Sequence, residues 1–146
     1  VMSNVPGRPL IELLNDDSID DATMMNHLQS AGYSIRMLHR QAIVHGDLST
    51  NNIMITPSGE AVLIDFGLAK IEFETELYGI DLHVLFEILG ASHPHREGAM
   101  EAVLQGYKQC EQDLGTAAKT PGGDPVCMED VIERFDLIRT RVRYHG

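Results

Sequence analysis

Two short polar segments, separated by a mostly apolar stretch, contain the side chains best suited to chemistry. The first is residues 45–52, His-Gly-Asp-Leu-Ser-Thr-Asn-Asn, and the second is residues 65–67, Asp-Phe-Gly. Asp47, Asn52 and Asp65 contribute carboxylate and amide oxygens, which are the ligands that Mg²⁺ prefers in proteins. We therefore predict a catalytic base at Asp47 and a metal site formed by Asn52 and Asp65.

The stretch between these segments predicts a β-hairpin. Residues 53–55 and 61–64 are typical of short strands, and 56–60, Thr-Pro-Ser-Gly-Glu, is typical of a turn. Such a hairpin would bring Asn52 and Asp65 back to the same end, where both could reach one cation. Phosphoryl transfer needs this arrangement, since it depends on orienting a hydroxyl and holding Mg²⁺ on phosphates. The alternative is that these aspartates are turn and cap residues in an unrelated fold.

The remaining sequence predicts helices around the hairpin. Apolar residues recur at intervals of three and four within 22–41, which indicates a long amphipathic helix. Further helices are predicted at 8–14, 79–89, 96–112 and 128–143, and a flexible loop at 112–128. The predicted fold class is therefore α+β and predominantly helical, in one domain with a small β-hairpin.

Composition restricts the function classes. The net charge of −11 argues against direct, salt-sensitive binding of nucleic acid. No apolar run approaches the roughly 18 residues that a membrane helix needs, so no membrane partner is expected. Cys110 and Cys127 lack metal-site spacing and are predicted to be buried or free thiols in a reducing compartment. Basic residues gather near the end, as a solvated helix face or as a contact patch: Arg134, Arg139, Arg141 and Arg143.

Several motifs together resemble one family, the PRPK/Bud-type kinase subunits of the KEOPS (EKC) complex. Leu38-His39 precedes 43–54, Ile-Val-His-Gly-Asp-Leu-Ser-Thr-Asn-Asn-Ile-Met, and 65–69 is Asp-Phe-Gly-Leu-Ala. The helix motif Tyr-Gly-Ile-Asp-Leu-His-Val-Leu-Phe-Glu then begins at Tyr78, without an Ala-Pro-Glu motif or a long activation segment. Ser92-His93-Pro94 and the closing 139–143 are similar too. The resemblance spans nearly the whole chain and is weakest at 112–128.

This resemblance implies a protein-kinase-like C-terminal lobe of an atypical serine/threonine kinase or ATPase, with ATP and Mg²⁺ as cofactors. It also implies that residues 1–5 form the hinge between two lobes, with backbone groups near Ser3 and Val5 facing the adenine. Met54 and Ile64 would form the apolar floor under the base. The alternatives are an ordinary edge strand at 1–5 and plain hairpin core at Met54 and Ile64.

Three further residues are interpreted through the same resemblance. His45 is expected to be structural and to bond the backbone near Asp65. Asp81 is expected to hold the catalytic loop through backbone amides, although a helix N-cap is the simpler interpretation. Gly46 occupies a position where many kinases have arginine, so control by phosphorylation of the activation segment is not expected.

The family also implies partners. Its kinase supports an enzyme that makes threonylcarbamoyl-adenosine in tRNA, and its C-lobe docks on that catalytic subunit, with indirect contact to tRNA, in cytoplasm and nucleus. A Gly-rich loop, a strand lysine and a paired helix glutamate are not found in this sequence, so we expect the N-lobe to be missing and the chain alone to be inactive.

Two other functions stay open. One is a truncated kinase that serves only as a docking module. The other is a small-molecule phosphotransferase, because aminoglycoside kinases also have a His-Gly-Asp loop. The short link from Gly67 to Asp81 leaves little room for a substrate-binding insertion and argues against the second.

Overall fold

The computed structural model describes residues 7–145, with side-chain surroundings for 7–141. The helices are α1 (Leu10–Leu14), α2 (Asp21–His39), α3 (Thr75–Ser92), α4 (Ala99–Leu114) and α5 (Met128–His145). The strands are β1 (Arg8–Pro9), β2 (Ile43–Val44), β3 (Ile53–Ile55), β4 (Ala61–Leu63) and β5 (Lys70–Ile71). The predicted α+β, predominantly helical fold is therefore confirmed. None of the described helices is long and apolar enough to span a membrane.

The longest helix, α2, packs closely against α4 because both helices place a glycine where they cross. A Cβ atom on Gly32 would collide with the carbonyl oxygen of Val103, and one on Gly106 with that of Gln29. Only glycine at these two positions permits such close backbone packing. The apolar stripe of α2 faces the core and comprises Met24, Leu28, Ala31 and Ile35.

The predicted hairpin consists of β3 and β4 and belongs to a three-stranded antiparallel sheet with the order β1-β3-β4. Its register pairs Ile53 with Leu63, and the free edge of β4 is covered by α2. There the Ala61 amide donates to Ser30 Oγ at 2.8 Å, and Ser34 Oγ donates to the Ala61 carbonyl at 2.7 Å. Because both backbone groups of Ala61 are satisfied, α2 fixes the position of the hairpin. Strands β2 and β5 form a second, two-stranded sheet.

Three helices begin at least two residues away from their predicted starts. The first predicted helix begins only at Leu10, because residues 8–9 pair with β3 as a strand. Helix α3 begins at Thr75, four residues before the predicted start. Helix α4 begins at Ala99 rather than at residue 96, because Gly98 has a left-handed φ of 76°. The Arg96 side chain is instead buried and donates to the Leu14, Asp16 and Ile19 carbonyls.

Candidate active site

The catalytic loop connects β2 to β3 and is closed by one side chain, that of Asn52. The Asn52 Nδ2 group donates to the Asp47 carbonyl at 2.9 Å and to Asp47 Oδ2 at 3.1 Å. Both amide hydrogens are used in this way, which leaves Oδ1 as the free ligand atom. No hydrogen bond within the described residues is made to that oxygen. Asn52 therefore fixes the Asp47 carboxylate and still offers an oxygen to a cation.

The hairpin brings Asp65 to the same end as Asn52. The amide of Ile64 donates to the Asn52 carbonyl at 2.9 Å, so the two strands of the hairpin are still paired at the residue before Asp65. Asp65 has a φ of 61°, a left-handed conformation that few residues other than glycine adopt, although aspartate tolerates it. Its side chain is exposed. The structure thus places the three predicted residues as the hairpin pattern indicates, and their catalytic roles stay predictions.

His45 connects the catalytic loop to the end of β4. The amide of Asp47 donates to His45 Nδ1 at 3.1 Å, so this nitrogen is an acceptor and the proton is on Nε2. Nε2 in turn donates to the Ile64 carbonyl at 2.8 Å. The ring is fully buried and packs against Phe66 at a centroid distance of 5.1 Å. These contacts fit the structural role expected for His45 and leave no ring nitrogen for use as a base.

Asp81 supports the same loop from α3. Its carboxylate accepts from the amides of His45 at 2.8 Å and Gly46 at 2.9 Å, and from His39 Nε2 at 2.8 Å. Burial would raise the pKa of Asp81, but these donors hold it below the usual value, so the group is charged. Because α3 begins at Thr75, Asp81 lies in its second turn. The N-cap interpretation is therefore wrong, and the loop-holding geometry is present.

The conformation of Gly46 explains why this position lacks arginine. Gly46 has a φ of 88°, and a Cβ atom there would lie 2.6 Å from the Leu68 carbonyl oxygen. Any side chain would be strained and would collide with the segment that follows Asp-Phe-Gly. The sequence showed only a missing arginine, because the proximity of Leu68 depends on the folded chain.

The predicted adenine floor lies on the hairpin face that Asn52 also occupies. In the observed register Met54 pairs with Val62, and residues two positions apart share a face, so Met54, Val62 and Ile64 lie together. All three are partly buried. Val62 was not predicted as part of this face, although strand alternation could have identified it. The hinge predicted at 1–5, with Ser3 and Val5, lies outside the described residues.

The donor set of this site fits a divalent cation bound together with phosphates. It offers one exposed carboxylate, that of Asp65, and the free amide oxygen of Asn52. Within residues 7–141 no group of three or more His, Cys, Asp or Glu side chains could hold a metal ion. Mg²⁺ commonly uses one or two protein ligands and takes the rest from phosphates and water.

The basic residues near the end of the chain are less available to a partner than the sequence indicates. Arg139 lies over the rings of Phe86 and Phe135 and forms an ion pair of 2.8 Å with Asp136. Arg141 is exposed, and its guanidinium lies 3.8 Å from Glu76. The side chain of Arg143 lies outside the described part. Part of the predicted contact patch is therefore used to pack α5.

The loop, the two candidate oxygen ligands and the supporting aspartate are typical of a C-terminal lobe of the protein-kinase class. The family model described as "Protein kinase domain" matches residues 1–79. The chain therefore belongs to the protein kinase family.

Similar proteins narrow the family to the type predicted from the motifs. The chain is 31% identical to EKC/KEOPS complex subunit bud32 of Aspergillus fumigatus, over 68% of this chain and 42% of the fungal protein. It is 39% identical to a probable bifunctional tRNA threonylcarbamoyladenosine biosynthesis protein of Methanoculleus marisnigri, over 67% and 18% of the two chains. A protein of the same name from Methanospirillum hungatei is 34% identical over 99% and 23%. The resemblance to Bud-type kinases is confirmed, and the chain spans less than half the length of these relatives.

Proposed function

We propose that this chain is the C-terminal lobe of an atypical serine/threonine kinase or ATPase that acts in a KEOPS-type complex and supports threonylcarbamoyladenosine modification of tRNA. One observation carries the catalytic part of the proposal. The Asn52 amide binds the Asp47 carboxylate while the hairpin brings Asp65 to the same end. The names of the relatives support the assignment to the complex and to tRNA.

Each residue has a distinct role in the proposed reaction. Asp47 accepts a hydrogen bond from the attacking serine, threonine or water hydroxyl and orients it. Asn52 and Asp65 hold Mg²⁺, and Met54 and Ile64 contact the adenine. When bound, ATP would supply the phosphoryl group, and Mg²⁺ would offset the charge that develops on the phosphate oxygens during transfer.

The active protein needs more than these residues. The parts of kinases that cover and clamp the phosphates have no counterpart in the sequence. We expect the described lobe alone to bind Mg²⁺-ATP weakly and to turn it over slowly. In the family's pattern, α4 and the basic end of α5 would dock on the threonylcarbamoyl-transferase subunit, with indirect contact to tRNA, in cytoplasm and nucleus.

The link between the metal ligand and α3 favours this function over a small-molecule phosphotransferase. Only residues 66–74 separate Asp65 from the first residue of α3, and they include β5. No substrate-binding insertion is present there, so the acceptor would have to reach Asp47 from a partner or from bulk solvent.

The experiment that tests this function is Asp65→Ala in the full-length protein. Losing the carboxylate ligand should lower Mg²⁺-dependent ATP turnover by about three orders of magnitude. Turnover is measured with the complex's other subunits and tRNA present. Asp17→Ala, which removes an exposed carboxylate in the segment before α2, is the matched control and should keep parental turnover. Parental turnover in Asp65→Ala would overturn the proposal.

A further inference from the structure

A chain of buried hydrogen bonds runs from α4 through the core to the catalytic loop. The hydroxyl of Tyr107 lies 2.6 Å from His39 Nδ1, and His39 Nε2 lies 2.8 Å from Asp81 Oδ2. Asp81 then accepts from the amides of His45 and Gly46. The exposed fractions of Tyr107, His39 and Asp81 are 0%, 1% and 3%. Solvent therefore does not compete for these bonds.

The direction of each bond follows from the chemistry of the two ends. The charged Asp81 carboxylate can only accept, so the proton of His39 is on Nε2. Burial lowers the pKa of His39, which keeps the ring neutral and makes Nδ1 an acceptor. Tyr107 must then donate its hydroxyl proton to Nδ1. All donors consequently point toward Asp81, an arrangement in which neighbouring bonds strengthen one another.

The outer end of the chain is also fixed. Arg36 Nη1 lies 3.4 Å from the Tyr107 hydroxyl oxygen, which accepts from it. The same guanidinium donates to Glu111 Oε1 at 3.0 Å and to the Val126 carbonyl at 3.4 Å. Arg36 thus connects α2 with α4 and with the segment that precedes α5.

We propose that Tyr107 is a positioning residue for the catalytic loop. Its hydroxyl holds His39 in the Nε2–H tautomer, and His39 in turn orients the Asp81 carboxylate. Asp81 fixes the amides of the two residues immediately before Asp47. This proposal rests on the proposed function, since the group whose position it controls is the catalytic Asp47.

The test compares two tyrosine variants of the full-length protein. Tyr107→Phe removes only the hydroxyl group that bonds His39. Tyr33→Phe removes a hydroxyl that bonds Asp113 across the same pair of helices. Tyr107→Phe should lower kcat for ATP turnover by about tenfold, with an unchanged KM for ATP, because the nucleotide contacts are elsewhere. The NMR signal of His39 Nδ1 should also move, since it loses its donor. Tyr33→Phe should change neither quantity.

Both changes are required by the proposal. A parental kcat, or an unchanged His39 signal, in folded Tyr107→Phe would overturn it. If that variant does not fold, the proposal is tested by NMR of the His39 ring nitrogens in the parent protein. An Nδ1–H tautomer or an imidazolium at neutral pH would also overturn the proposal. A failure of the proposed function would appear differently, as absent ATP turnover in the parent, and the His39 tautomer would still be measurable.

Discussion

Two aspartates that follow the catalytic loop in the sequence, Asp65 and Asp81, have opposite environments. Asp65 is exposed, and its carboxylate makes no hydrogen bond within the described residues. Asp81 is 3% exposed and accepts from one side chain and two backbone amides. A carboxylate without protein partners stays available to a ligand, whereas one with three donors is committed to holding the backbone. In the proposed function, the same residue type thus binds a ligand at one position and holds the backbone at the other.

The largest effect that separates the two aspartates is on stability. Asp81→Ala leaves the His39 N–H and two backbone amides buried without an acceptor, and should lower the free energy of unfolding by about 3–5 kcal/mol. Asp65→Asn, an exposed change that the left-handed backbone tolerates, should stay within about 0.5 kcal/mol of the parent. Urea denaturation at neutral pH measures both. Equal losses in the two variants would remove the contrast.

The outer region, formed by Asp47, Asn52 and Asp65, and the inner region, formed by Tyr107, His39 and Asp81, also differ in how far the sequence predicts them. The hairpin and its polar ends were predicted correctly, because strand alternation and turn residues are local signals over 53–64. The contact between Tyr107 and His39 spans 68 residues, and no periodicity indicates it. The start of α3 was misplaced since Glu74, its N-cap, makes no side-chain capping bond. That error alone led to the wrong N-cap interpretation of Asp81.

Arg96 shows the same limit on a structural residue. In the sequence it stands at the start of a helical pattern, where an exposed charge is the usual expectation. In the structure it is 7% exposed, and its guanidinium binds carbonyl groups at the end of α1 and in the segment between α1 and α2. Those acceptors lie about 80 residues earlier in the chain than Arg96. Only tertiary packing could identify this role.

A second prediction tests the outer region at Asp47. Asp47→Asn removes the charge that orients a hydroxyl but keeps an oxygen that can accept from Asn52 Nδ2. It should lower kcat by about 100-fold, typical of a lost general base, with little change in thermal stability. Single-turnover kinetics and a thermal melt measure the two quantities. Unfolding of Asp47→Asn would instead assign Asp47 a mainly structural role.

The third prediction uses pH to isolate the inner region. Burial lowers the pKa of His39 below its ordinary value of 6.5, so the unfolded chain binds more protons there than the folded one. This contribution to stability is therefore present above about pH 6.5 and is lost as the pH falls, by up to about 1.4 kcal/mol per unit. Unfolding free energies at pH 7.5 and 5.5 measure the loss.

The matched variant for that experiment is His39→Gln. Glutamine does not titrate, yet its amide can donate to Asp81 and its oxygen can accept from Tyr107. The buried or partly buried His27 and His93, whose pKa values burial also lowers, remain in both proteins. The variant should therefore lose less stability than the parent between pH 7.5 and 5.5. An equal loss in the two proteins would show that His39 does not contribute.

The smallest expected effect concerns the basic residues at the end of α5, of which Arg141 is exposed. Arg139 packs on two phenylalanine rings, so its replacement would disturb the fold and confuse a docking test. Replacing only Arg141 and Arg143 with glutamate keeps Arg139 on the two rings. If the predicted patch docks on the threonylcarbamoyl-transferase subunit, this double variant should associate about threefold to tenfold more slowly than the parent at low salt. At high salt the difference in association rate should be much smaller.

Arg8→Glu combined with Lys119→Glu makes the same charge change elsewhere on the exposed surface and is the control. Equal association of both double variants at low salt would leave the arginines with a helix-end role, because positive charge also suits the carbonyl end of α5.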